Sequence, residues 1–227
     1  MRLILMRHGQ TPANVLGELS TAAPGPGLTD LGLRQARAVP GSLAGEPIEA
    51  VYASVLVRTQ LTGAPLADAR GLGVHVLPGL HEIEAGELEN RADRDAVRTY
   101  LDTVMAWSGD LSARIPGGPD GHEFFGRFEA DLATIAERHD PDATVVAVSH
   151  GAAIRVWAGG RSRNLTPDFT SEHHLDNTGL VVVEGDPAAG WVVQSWQGLP
   201  VGGLALVDQA ADDVTGEPVE EAVADAD

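Results

Sequence analysis

The chain has 227 residues, of which 43% are hydrophobic and 21% charged, an ordinary globular composition with length enough for one main domain. A formal charge of −18 argues against non-specific nucleic-acid binding and against attraction to anionic lipid, and the absence of cysteine removes disulfides, thiolate metal sites and a cysteine nucleophile. All 15 basic residues are arginines, so a phosphate or carboxylate site here must rest on guanidinium forks, histidines and backbone amides.

Arg2 to Met6 is the first predicted strand, an apolar run too short for a signal-peptide core or a bilayer span, and no later run approaches that length. The chain is therefore expected to be a soluble, cytoplasmic protein without membrane partners. After the loop "TAAPGPG" at 21 to 27, Thr29 and Asp30 mark a helix start, and helical periodicity runs on to Leu43. A strand from Val51 to Ala53, a helix from Leu56 to Ala69 and a strand from Val74 to Leu77 follow. Then come helices over Arg91 to Trp107 and His122 to His139, a strand from Ala143 to Val148 and a helix from Ala152 to Trp157. The last predicted strands are Leu180 to Val183 and Trp191 to Trp196. Pro40 and Pro65 fall inside two of the helices and should kink or shorten them. Strands alternating with helices predict an α/β layered fold with a mostly parallel sheet, whose ligands sit beyond the carboxyl ends of the strands. Residues 1 to 205 read as the one domain. From 206 to 227 the chain is small and acidic, with eight acidic residues and no basic one after Val207, and is expected to be a disordered tail serving solubility.

The chemistry gathers at strand ends. The first strand stops at Arg7, His8 and Gly9, where a glycine allows a sharp turn and backbone amides can face an anion. The strand at 143 to 148 ends in Ser149, His150 and Gly151, and the one at 51 to 53 passes through Ser54 into a helix that carries Arg58. Each piece alone fits a solvated side chain. Together they bring two imidazoles and two arginines to one sheet edge, the inventory for holding a phosphoryl group and attacking it. His75, His81, His122, His173 and His174 match no zinc spacing and read as surface or loop residues, so no metal ligand and no cofactor is expected.

"RHGQTPAN" at 7 to 14, "LTDLGLRQA" at 28 to 36, "VYASVLVRTQLT" at 51 to 62, "LHEIEAGELE" at 80 to 89 and "VVAVSHGAAIR" at 145 to 155 resemble, in order, the motifs of the histidine phosphatase superfamily, also called phosphoglycerate mutase-like. The resemblance covers nearly the whole chain to about Trp196. It implies a three-layer α/β/α sandwich. It implies that His8 is the nucleophile, that Arg7, Arg58 and His150 surround the phosphoryl oxygens, and that Glu82 is the proton donor to the leaving oxygen. Gly9, Gln10, Thr11, Asn14 and Gly151 would complete the phosphate pocket. Cationic neighbours would keep the His8 imidazole unprotonated, and a carboxylic acid of raised pKa could protonate an alkoxide and then deprotonate water. Of the acids near Glu82, which include Glu84, Glu87 and Glu89, Glu82 stands at the family spacing from Leu80.

The pattern departs from the family in places. Pro119 and Asp120 stand where a "GES" is frequent, leaving that loop's substrate contacts open, and "ELEN" at 87 to 90 replaces a frequent "W-E-G". Mutases of the family carry a longer insertion after the acid with basic residues for the substrate carboxylate. Here Arg91 to Pro116 is short and offers only Arg91, Arg94, Arg98 and Arg114. The resemblance therefore favours a metal-independent phosphatase acting on a small phosphorylated substrate, with a mutase or a catalytically inert phospholigand-binding protein as the alternatives. "GELENR" at 86 to 91 also resembles the alpha-ribazole phosphatases. The substrate's identity and the oligomeric state, a homodimer included, are left open.

Overall fold

The computed structural model describes residues 1–208, 211 and 213–226. Six strands form one sheet: β1 (Arg2–Arg7), β2 (Ile48–Ala53), β3 (Val74–Val76), β4 (Thr144–Ser149), β5 (Leu180–Asp186) and β6 (Gly190–Gln197), in the order β3-β2-β4-β1-β5-β6. The pairs β3–β2, β2–β4 and β4–β1 are parallel, and β5 and β6 are added antiparallel at one side. The predicted strands are all present, with ends that differ by a few residues at most: β2, β5 and β6 are longer, and β3 stops one residue short of Leu77.

The central strands are apolar on both faces because both are covered. Leu3, Leu5, Val145 and Ala147 face one core, with Tyr100, Phe124, Phe128 and Trp157 of the helices α4 (Arg94–Ala106), α5 (Gly121–Arg138) and α6 (Gly151–Arg161). Ile4, Met6, Val146 and Val148 face the other, with Val39 of α2 (Asp30–Ser42) and Leu66 of α3 (Val57–Arg70). This is the expected three-layer sandwich. Leu3 to Met6 are all fully buried, at about 1.5–3 kcal/mol each relative to exposure. A one-residue slip of β1 would exchange its two faces, so the register is strongly held.

That register places the site. Arg7 pairs with Ser149, so the next residues, His8 and His150, emerge side by side from adjacent strands. On the far side of β4, Ala53 pairs with Val148, which brings Ser54 to the same edge. Neither proline ends its helix: α2 and α3 run through Pro40 and Pro65.

Short helices that lack a long apolar period were not foreseen: α1 (Pro12–Val15), α7 (Pro167–Glu172) and α8 (Val219–Asp225). The last of these corrects the expectation of a disordered tail. Val214, Ala222, Val223 and Ala226 are buried and join the core on the α4–α6 side, and the Arg94 guanidinium of α4 donates to the Ala224 carbonyl (3.0 Å). Two buried side chains of α8, Ala222 and Val223, with Val214 before the helix and Ala226 at its end, dock a segment whose composition is otherwise that of a solvated chain. Gln209, Ala210, Asp212 and Asp227, also part of that expectation, lie outside the described residues.

Candidate active site

His8 and His150 converge, with ring centroids 5.2 Å apart. The His8 amide donates to the Ser149 carbonyl (3.0 Å), tying the two strand tips together. His8 Nδ1 lies 2.8 Å from the Gly9 carbonyl, which can only accept, so Nδ1 carries the proton and Nε2 the lone pair. Burial first, then the charges of Arg58 and Arg7, hold the His8 pKa well below the imidazole value of 6.5. A neutral imidazole with a free Nε2 is a nucleophile.

His150 is held through its other ring nitrogen: its Nε2 lies 2.8 Å from Ser54 Oγ. Ser54 Oγ accepts from the Leu56 amide (3.2 Å) and also lies 3.0 Å from Thr59 Oγ1, so its proton can go to either neighbour and the ring takes the complementary role. His150 Nδ1 is a buried atom with no hydrogen-bond partner among the described residues. Burial and Arg58 depress this pKa as well.

Arg58, at the start of α3, donates from Nη2 to the Ser20 carbonyl (3.0 Å), while its buried Nη1 has no hydrogen-bond partner among the described residues. Burial, with Arg7 beside it, lowers its pKa to about 10, against the opposing pull of Glu82, and the side chain remains a cation at neutral pH. Arg7 is fully buried. Its Nη1 donates to the Leu175 carbonyl (2.8 Å) and Asp213 Oδ2 (2.6 Å), and its Nη2 to Asp213 Oδ1 and Thr215 Oγ1 (3.1 Å). Burial works against this cation, but the Asp213 carboxylate outweighs it and raises the pKa.

Glu82 follows the short 3-10 turn Pro78–Leu80 and is buried. Its carboxylate accepts from the amides of Ile83 (2.9 Å), Ala153 (2.8 Å) and Ala152 (3.2 Å), the last two in the first turn of α6. Burial raises its pKa and prevails over those amides and the two arginines. Glu84 differs: burial opposes ionisation there too, but His81 and Arg127 take its pKa down to about 2. One acid holds a proton readily and its neighbour two residues on does not, which separates the two candidates physically. Glu89 is spent on the loop at 21 to 22, accepting from the amides of Thr21 (2.8 Å) and Ala22 (2.9 Å).

Two expected anion donors are already used. The Gly9 amide donates to Thr62 Oγ1 (2.9 Å) and the Gln10 amide to Gln35 Oε1 (2.8 Å), so neither is free to face an anion. The Gln10 side chain accepts from Thr29 and donates to Asp208. Gly9 is required for close approach rather than for a left-handed turn: a Cβ there would stand 2.8 Å from the Gly32 carbonyl oxygen, and one at Gly32 only 2.2 Å from that of Gln10. Thr11 and Asn14 form a capping box on α1 and line the pocket, and Asn14 Nδ2 donates to Asp213 Oδ1 (3.0 Å). Gly151 begins α6, where a Cβ would lie 2.4 Å from the Thr215 carbonyl oxygen. Asp120, of the departed "GES" position, caps α5 and pairs with Arg114, its carboxylate accepting from the Glu123 amide (3.0 Å).

Several participants carried no readable signal. Arg127 of α5 donates to the carbonyls of Gly79 (2.6 Å), His81 (2.9 Å) and Glu82 (2.8 Å) and to Glu84 Oε2 (3.1 Å), holding the loop that presents Glu82. Thr178, in the left-handed region at φ 62°, donates its amide to the carbonyls of Arg7 (3.1 Å) and His8 (3.2 Å), and Asn177 Nδ2 donates to His8 as well (3.2 Å). Among the described residues no group of three or more His, Cys, Asp or Glu is placed to hold a metal ion.

The model of the histidine phosphatase superfamily (branch 1) matches residues 3–198. The chain is 39% identical over 216 residues to the PE-PGRS family protein PE_PGRS11 of Mycobacterium tuberculosis, covering 88% of this chain but only 37% of that protein. It is 36% identical over 154 residues to the adenosylcobalamin/alpha-ribazole phosphatase of Salmonella typhimurium, covering 68% of this chain and 76% of the relative. Among solved structures, a mycobacterial glucosyl-3-phosphoglycerate phosphatase complexed with VO3 superposes with a TM-score of 0.73 at 25% identity, over 87% of this chain and 99% of that one.

Proposed function

The chain belongs to the histidine phosphatase superfamily, branch 1, and on that premise we propose that it hydrolyses a small phosphate monoester through a phosphohistidine at His8. The observation that carries this reading is the pairing of a neutral His8, its Nε2 free, with a buried Glu82 of raised pKa. In the first half-reaction Nε2 attacks phosphorus in line, the P–O bond to the alcohol breaks, and the Glu82 proton passes to the departing oxygen. Alkoxides leave poorly, so proton donation of this kind contributes about 10²–10⁴ in rate. In the second half, the Glu82 carboxylate takes a proton from water, the water oxygen attacks phosphorus, and the N–P bond breaks to release phosphate and neutral His8.

Arg58, Arg7 and His150, whose Nδ1 would carry the proton when Ser54 donates to Nε2, are the donors for the equatorial oxygens in the loose transition state, where preorganised donors do most of the work. Removing one such donor costs on the order of 3 kcal/mol. The phosphatase names of the relatives support hydrolysis as the outcome, and their substrates, alpha-ribazole phosphate esters and a phosphorylated glycerate glycoside, set the size range to screen. The test is turnover of p-nitrophenyl phosphate and a panel of phosphorylated metabolites by the wild-type protein and His8→Ala, with and without chelator. Hydrolysis that His8→Ala abolishes and chelator leaves intact supports the reading. A rate lost to chelator and restored by metal overturns it.

A further inference from the structure

Asp213 occupies the guanidinium that the proposed reaction assigns to the phosphoryl oxygens. Its two carboxylate oxygens take the fork of Arg7, and Oδ1 also takes the Nδ2 amide of Asn14 (3.0 Å). A bidentate guanidinium does not distinguish a carboxylate from a phosphate in the acceptor geometry it offers. The segment passes directly over the cation: a Cβ on Gly216 would collide with Arg7 Nη1. With Thr215 forming one wall, the cavity that His8, Arg58 and Glu82 line is about 20 Å³, room for a water or two on the scale where one needs about 10–15 Å³.

The occupant is held by dedicated contacts. Residues 213 to 217 form a turn closed by the Gly216 and Glu217 amides on the Asp213 carbonyl (2.9 and 3.1 Å), and the Gly216 carbonyl accepts from the Leu175 amide (2.8 Å). Arg155, only 1% exposed, donates to the carbonyls of Thr215 (3.2 Å) and Glu217 from below and to those of Thr170 and Ser171 beside them. Beyond the turn, α8 docks through Ala222 and Val223.

We propose that the segment around Asp213 is an autoinhibitory occupant of the phosphate subsite, a carboxylate carried by the chain itself that a substrate phosphoryl group must displace. This rests on the phosphatase reading. An internal competitor lowers the fraction of binding-competent protein and so raises apparent KM and Kd by that fraction, leaving kcat unchanged. A carboxylate that served to orient Arg7 would act with the opposite sign.

The experiment compares three full preparations: wild type, Asp213→Asn, and a chain ending at Val207. Calorimetric titration with inorganic phosphate and steady-state hydrolysis of p-nitrophenyl phosphate are measured on each, with amide exchange of residues 213–226 followed in the wild type as phosphate is added. The expected result is phosphate Kd and KM about tenfold lower in both variants at similar kcat, and loss of exchange protection in the wild-type tail on phosphate binding. If removing α8 prevents the shortened chain from folding, Asp213→Asn and the exchange measurement carry the decision. Turnover with KM unchanged or raised in Asp213→Asn, or a tail that stays protected at saturating phosphate, overturns the inference alone. Absence of both phosphate binding and turnover in every form removes the phosphatase reading and this inference with it.

Discussion

His8 and His150 meet while anchored through opposite ring nitrogens, Nδ1 of His8 on the Gly9 carbonyl and Nε2 of His150 on Ser54 Oγ. His8 thereby offers a lone pair on Nε2, and in the proposed reaction His150 offers a proton on Nδ1. Both pKa values are depressed, chiefly by burial, so the pair is neutral at physiological pH without either ring having to surrender a proton to the other. The arrangement assigns attack to one side chain and oxygen stabilisation to the other.

In the proposed reaction a Ser54 proton on Nε2 keeps the His150 proton on Nδ1. Ser54→Ala leaves the ring in place but frees its tautomer, so kcat is expected to fall by less than the roughly 10²–10³ that outright loss of one preorganised donor brings, with KM changed less. Nitrogen-15 NMR of the imidazoles should show a single Nδ1–H form of His150 in the wild type and a tautomer mixture in the variant. An unchanged spectrum alongside a lowered kcat would point to packing instead.

The pH profile of kcat/KM follows from two signs. His8 must be neutral, so activity is present above its folded pKa and lost as pH falls through it, and that pKa lies well below 6.5. Glu82 must be protonated for the first step, so activity is present below its raised folded pKa and lost as pH rises through it. A bell is expected, with the acid limb below the ordinary imidazole range and the basic limb above the ordinary carboxylate range. Stopped-flow phosphorylation of Glu82→Gln by an aryl ester should keep the acid limb and lose the basic one.

The fold was largely legible because the buried strands are continuous apolar runs and the helices have a long amphipathic period, and both signals survive without an alignment. The two histidines were legible for the same reason: each ends such a run, and strand order did the rest. Glu82 needed the family spacing, since nothing local separates it from Glu84. Only the fold does, by burying one against the α6 amides and pairing the other with His81 and Arg127. The Gly9 and Gln10 amides misled because their partners, Thr62 and Gln35, lie 53 and 25 residues away. The tail misled most. Charge density outvoted the few apolar side chains of α8, and the contact of Asp213 with Arg7 spans 206 residues, beyond the reach of any local pattern.

Arg127 bears on the acid rather than on the phosphate. Arg127→Met should leave three loop carbonyls without that donor and Glu84 with His81 alone, lowering stability by about 2–3 kcal/mol. Because the loop presents Glu82, hydrolysis of an alkyl phosphate should suffer more than phosphorylation by an aryl ester. Urea unfolding and the ratio of the two rates check this together, and a stability loss with equal slowing of both substrates would make the residue merely structural.

Docking of the tail is expected to weaken as pH rises through neutrality. Burial, then the nearby charges of Asp213, Glu221 and Asp225, raise the Glu217 pKa to about 7. A carboxyl whose folded pKa lies above its unfolded value of about 4.5 stabilises the docked state fully below the lower value and loses that contribution as pH rises towards the upper one. His174 and Asp176 face the same cavity and pair with each other, with Glu221 on the other side of the imidazole, while the Arg155 guanidinium donates to the Glu217 carbonyl and Arg7 reaches the turn through Asp213. Amide exchange at residues 213–226, corrected for intrinsic rates, should be slower at pH 5.5 than at pH 8 in the wild type, and Glu217→Gln should flatten the difference.

The central claim is that His8 becomes covalently phosphorylated, and rapid quenching into alkali after mixing with a radiolabelled aryl phosphate tests it most directly. Glu82→Gln is the protein to use, because without the carboxylate that activates water the intermediate should accumulate. The expected result is near-stoichiometric label, stable in base and lost in acid, mapping to the peptide that contains His8 and absent from His8→Ala. Label on another residue, or hydrolysis that persists in His8→Ala, would contradict the account.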